Sequence, residues 1–201
     1  MPEQKFHKGR MEAFSDGVIA IIITIMVLEM KVPHEATVAA LQPMIPVFLS
    51  YILSFVYVGI YWNNHHHMMQ AAKHIDGKIL WANLLLLFTL SIIPFVTAWM
   101  GENHFSPVPV MFYGIVLLMN ALSYSFLATR LIKLHGQESL LAKAIGSGIK
   151  GKTSVFIYVA AIIVCYFNSW ISLSLYFVVA GIWFIPDKRI ENRIATENEK
   201  I

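Results

Sequence analysis

Six apolar stretches, each close to the length that crosses a bilayer as a helix, constrain this chain more than any other feature. A hydrocarbon core about 30 Å thick takes roughly 20 residues at the helical rise. The stretches fall at 12–30, 43–64, 79–100, 107–128, 153–169 and 171–185. Only Asn168-Ser169-Trp170 parts the last two, so they are expected to form a tight hairpin. Composition points the same way. Hydrophobic residues make up 57% of the chain, charged residues 13%, and the mean hydropathy is +0.63, whereas a soluble domain carries about 25% charge. The expectation is an all-α membrane protein, one six-helix transmembrane domain over residues 1–201. The first run follows a polar start and ends at no small-residue cleavage site, so it reads as a span and not as a cleavable signal. The lone cysteine, Cys165, offers no disulfide framework.

The basic residues set the orientation. Lys5, Lys8 and Arg10 precede the first span, and Lys73 and Lys78 lie between spans 2 and 3. Arg130, Lys133, Lys143, Lys150 and Lys152 lie between spans 4 and 5, and Lys188, Arg189, Arg193 and Lys200 follow span 6. Of the 15 basic residues only Lys31 falls on the opposite side. The positive-inside rule then places both termini in the cytoplasm of a multi-pass cell-membrane protein. An odd number of spans would break this partition. Trp99, Trp170 and Trp183 stand near span ends, as an aromatic belt requires.

The first span carries the most informative pattern, Arg10-Met11-Glu12-Ala13-Phe14-Ser15-Asp16-Gly17 leading into an isoleucine-rich run. Ionisable groups at the mouth of a membrane helix are paired or functional, and an anion at Asp16 suits the helix N-terminus. At about 100° per residue, Phe14, Gly17, Ile21, Thr24 or Ile25, and Leu28 share one stripe, while Asp16 points about 140° away from Ile21. Periodicity alone assigns that stripe to lipid or to packing. Asp16 reads as a buried anchor, its partners expected among Arg10, one of His65 or His66, and Asn83.

This segment resembles the R-x-x-x-F-S-D signature of the transmembrane protein 175 family of potassium channels, matched by Arg10, Phe14, Ser15 and Asp16. Thr24 and Leu28, the Tyr61-Trp62-Asn63-Asn64-His65-His66 end of span 2, Asn83 and the Pro94 region continue the likeness. The resemblance implies a homotetramer with the first helices around a central pore and no T-V-G-Y-G filter. It implies that Ile21 is the principal gate residue, with Thr24 offering a hydroxyl to a passing K⁺ one turn on. Leu28, with Ile25, would form further layers, and a ring of Ile21 side chains can gate by dewetting.

Other chemistries fit less well. Three consecutive histidines, His65-His66-His67, point about 100° apart on a helix and cannot converge on one metal. Gly146-Ser147-Gly148-Ile149-Lys150-Gly151 matches neither dinucleotide nor P-loop spacing and follows no strand. Neither G-x-S-x-G nor H-E-x-x-H occurs, so no enzyme is expected, nor any cofactor or nucleic-acid partner. A secondary transporter or proton-conducting protein is the alternative. Pro94 gives one mid-span break, but no acidic residue sits mid-span to serve a relay. Asn120, Ser123, Ser125 and Asn168 are expected to hydrogen-bond between helices.

Overall fold

A computed structural model describes residues 8–139, 141–142 and 148–184. Its elements are α1 (Lys8–Leu28), a 3-10 turn (Val38–Met44), α2 (Ile45–Ala71), α3 (Gly77–Ser91), α4 (Ile93–Glu102), α5 (Pro107–His135), α6 (Ile149–Val164) and α7 (Ser169–Phe184). Among the described residues, four stretches are long and apolar enough to cross a membrane: Lys8–Leu28, Val38–Ala71, Gly77–Glu102 and Pro107–His135. The helices α6 and α7, 16 residues each, extend about 24 Å. Lys5, Lys143 and the basic residues from Lys188 onward lie outside the described residues.

The ends of the helices are set by local chemistry. Thr37 caps the 3-10 turn by accepting the Ala40 N–H at 3.3 Å, and Pro46 opens α2 where a missing N–H does no harm. Asp76 caps α3, accepting the Ile79 N–H at 2.8 Å. Pro94 cannot donate to the helix behind it, so one apolar span divides into α3 and α4, and the Ile92 N–H turns back to the Thr89 carbonyl at 3.3 Å. Past α4, His104 and Phe105 both adopt positive φ, 50° and 60°. The Phe105 N–H closes on the Met100 carbonyl at 3.0 Å, a Schellman-type stop made without glycine.

Several boundaries differ from the sequence reading. The helices α2 and α5 run past 64 and 128 to Ala71 and His135, because polar residues end an apolar run without ending a helix. The final hairpin turns at 165–168, so Ser169 and Trp170 already belong to α7. The Asn168 side chain accepts the Trp170 N–H at 2.9 Å and starts that helix.

The helix α1 packs on α2, α3 and α4; α5 joins α3 and α4 to α6 and α7; and α7 also touches α2. Four fully buried tyrosines, Tyr57, Tyr113, Tyr158 and Tyr176, lock α2, α5, α6 and α7 together. Neighbouring ring centroids lie 5.8 to 6.5 Å apart. The Tyr57 hydroxyl donates to the Tyr176 carbonyl at 2.6 Å, and the Tyr176 hydroxyl to the Val110 carbonyl at 3.2 Å. Ser54 also bonds across helices, meeting Thr97 at 2.6 Å and Tyr113 at 3.0 Å. Asn120 and Ser125 bond instead to carbonyls of their own helix, Val116 and Ala121, an option always within reach four residues back.

Candidate functional site: the two faces of the first helix

The helix α1 spans 21 residues, about 31 Å, and its two faces differ sharply. Met11, Ser15, Ile19, Ile22 and Met26 form a buried stripe against α2, α3 and α4. Ile19, Ile22 and Met26 are only 2 to 3% exposed, whereas Ile21, Ile25 and Leu28 are 57, 39 and 79% exposed. Phe14, Gly17 and Thr24 are exposed with them. All are apolar or small except Thr24, whose hydroxyl donates to the Ile21 carbonyl at 2.9 Å. Its proton is thereby occupied, and the oxygen lone pairs remain for a ligand.

The buried face carries a hydrogen-bonded chain whose direction is forced by one carbonyl. Ser15 Oγ lies 2.8 Å from the Met11 carbonyl, which can only accept, so the hydroxyl donates there. Asn83 Nδ2 then donates to Ser15 Oγ at 2.9 Å. Asn83 Oδ1 in turn accepts from His65 Nε2 at 2.8 Å. This leaves His65 Nδ1 as a buried atom with no partner among the described residues. The chain joins α1, α3 and α2, and Ser15, His65 and Asn83 are each at most 1% exposed.

Asp16 stands apart from that chain. Its carboxylate accepts the indole N–H of Trp62 on α2 at 3.0 Å. Trp62 stacks on His66 at 5.8 Å between centroids, and His66 faces Glu12 at 3.8 Å. The residues grouped by the sequence therefore divide into two clusters. Ser15, Asn83 and His65 meet in the core; Asp16 and His66 meet Trp62 nearer the surface. Arg10 is exposed and makes no hydrogen bond or ion pair to any described residue.

Two contacts are not legible in the sequence. Trp62 stands there only within a likeness, and Lys8 only as a topological charge, yet the Lys8 ammonium holds the end of α2. The choice of His65 over His66 had a signal. The buried positions Ser50, Ser54, Tyr57, Tyr61 and His65 continue one helical stripe of α2 across the polar boundary. At the far end of α1, Lys31 pairs with Glu102 at 2.7 Å beside an open cleft of about 530 Å³. That hydrogen bond and the carboxylate charge raise the Lys31 pKa.

Long apolar helices packed around buried hydroxyl, amide and imidazole bonds define a multi-pass helical membrane protein. Its sequence places it further. Residues 10–94 match the family described as Endosomal/lysosomal potassium channel TMEM175. A potassium channel of Chryseobacterium sp. (strain P1-3) is 54% identical over 187 residues, covering 93% of this chain and 97% of that protein. The crystal structure of a lysosomal potassium-selective channel TMEM175 homolog from Chamaesiphon minutus superposes with a TM-score of 0.76 at 28% identity, over 89% of this chain and 96% of that one. The human Endosomal/lysosomal proton channel TMEM175 is 41% identical over 99 residues, of which this chain spans 20% of the length. This chain belongs to the TMEM175 family.

Proposed function

We propose that the protein is a potassium-permeable cation channel of the cell membrane, a homotetramer in which α1 of each copy faces a shared pore. The observation that carries this reading is the divided first helix. Its Ile21, Ile25 and Leu28 face is left uncovered by the subunit's own helices, while its Ile19, Ile22 and Met26 face is packed. One such helix cannot enclose a pathway, and several around an axis can. The names of the bacterial relatives, potassium channels, support the ion. Both termini are cytoplasmic in this reading, following the basic residues.

The mechanism involves no bond chemistry. Four Ile21 side chains close a dry constriction, and a cation crosses only when helix rotation widens the ring enough for water to enter. Thr24, its proton tied to the Ile21 carbonyl, turns an oxygen toward a partly dehydrated K⁺. No T-V-G-Y-G sequence is present, so discrimination rests on pore radius and hydration. The Ser15–Asn83–His65 chain sets the rotation of α1 and lies off the pathway. The vertebrate relatives are named proton channels, which favours protons as the second permeant ion to test.

The test is reconstitution in planar bilayers under K⁺, Na⁺ and H⁺ gradients, comparing wild type with Ile21→Asn. The expected result is a K⁺ current in the wild type and a larger conductance or opening in the variant, whose amide hydrates the constriction. A silent wild type with an equally silent variant contradicts the reading, as does a detergent mass of one chain.

A further inference from the structure

Residues 72–76, which link α2 to α3, are held by side chains from two other helices. The carbonyls that end a helix are unpaired and gather partial negative charge, yet α2 has no basic residue in its last turn. The cation comes from α1. Lys8 donates to the carbonyls of Met69 at 2.8 Å, Ala72 at 2.8 Å and Gln70 at 3.4 Å. An ammonium has three protons, and this geometry gives each a carbonyl. His135, the last residue of α5, takes the other side of the link. Its Nε2 accepts the N–H of Lys73 at 3.0 Å and of His74 at 3.4 Å, while Nδ1 donates to the Leu131 carbonyl at 2.9 Å. Backbone N–H groups only donate and carbonyls only accept, so these roles are fixed.

We propose that Lys8 is a positioning residue for conduction: its clasp on the end of α2 fixes the cytoplasmic end of the pore helix, and His135 braces the segment it clasps. This rests on the reading of α1 as the pore helix. Lys8 opens the buried stripe of α1, with Met11 and Ser15 following it on the same face. Ile21 lies about 20 Å along the axis from Lys8, so a pivot of about 5° at that end displaces Ile21 by nearly 2 Å. An apolar seal made by four side chains needs all four presented alike. A helix freed at its end therefore breaks the seal more often.

The experiment records the full chain in planar bilayers as wild type, Lys8→Met, Lys8→Arg, His135→Ala and the Lys8→Met/His135→Ala double variant. Lys8→Met is expected to raise open probability about tenfold, with unitary K⁺ current and reversal potential unchanged. Lys8→Arg restores it to within about twofold, since a guanidinium keeps the charge and the donors. His135→Ala shifts opening the same way, and the double variant changes less than the product of the two, because both act through one link. If Lys8→Met fails to assemble, His135→Ala, which leaves α1 intact, carries the same expectation. Unchanged opening in His135→Ala and Lys8→Met, no rescue by arginine, or independent effects in the double variant overturns the proposal. A conducting wild type with an indifferent Lys8→Met overturns this inference alone; a wild type that passes no ion overturns the channel reading and this one with it.

Discussion

Replacing Asn83 by alanine removes the middle of the chain that ties α1 to α2 and α3. Two interhelical bonds go, from Asn83 to Ser15 at 2.9 Å and from His65 to Asn83 at 2.8 Å. Inside a membrane protein such bonds average about 0.6 kcal/mol each and reach about 1.7. Ser15 keeps its bond to the Met11 carbonyl, but the His65 N–H loses its only acceptor among the described residues, at a site 1% exposed. A buried donor left alone costs about 1–3 kcal/mol. The terms overlap, because the stranded donor is one end of a lost bond, so the expected destabilisation is about 2 kcal/mol. Equilibrium unfolding in mixed micelles measures it, with Ser91→Ala, an exposed serine on the same helix bonded only to its own turn, as the control. In a cycle with His65→Ala the two changes should couple by about 1 kcal/mol. An Asn83→Ala variant within about 0.5 kcal/mol of wild type, or strict additivity with His65→Ala, would show that this chain does not tie α1 to α2 and α3.

Gly114→Ala places a methyl on the Tyr176 hydroxyl and 3.1 Å from Ile162 Cγ1. The tyrosine cluster must give way, and about 1–3 kcal/mol of stability is lost in the same unfolding assay. Gly59→Ala, whose methyl meets nothing within 4 Å, should be neutral or slightly stabilising, since alanine is the better helix former. Lys31→Gln removes the exposed pair with Glu102 and should leave the melting temperature within about 2 °C at physiological salt. Because Glu102 raises the Lys31 pKa, the small contribution is complete below the ordinary lysine range and fades as pH rises through the raised value. A melting temperature that falls with Lys31→Gln at neutral pH by many degrees would show the pair to be structural.

Much of the architecture is legible in the chain because hydrophobic length is a local quantity. The apolar stretches mark where helices lie, and the spacing of Ile21, Thr24 and Leu28 against Ser15, Ile19 and Ile22 separates the faces of α1. What the sequence leaves open is register between helices. Asp16 and Trp62 are 46 residues apart, and nothing in either neighbourhood says that a carboxylate will find an indole before it finds an arginine or a histidine. Lys8 is harder still, because its partners are backbone carbonyls, which every residue carries. Where the stripe of α2 is followed down through its polar end, His65 is readable as the buried histidine. The break at Pro94 is readable from covalent chemistry, while the ends of α2 and α5 are not, since polar residues continue a helix into the headgroup region as easily as they end it.

We propose that the two faces of α1 have different neighbours, a pore on one side and the subunit's own core on the other. Single cysteines at Ile21 and Ile22 test it directly. Adjacent on the helix, they are 57% and 3% exposed, and the native Cys165 is buried and out of reach of a charged reagent. With the protein conducting in a bilayer, a water-borne cationic thiol reagent should block Ile21→Cys currents irreversibly and leave Ile22→Cys currents unaffected. Equal modification of both, or block at position 22 alone, would contradict the account.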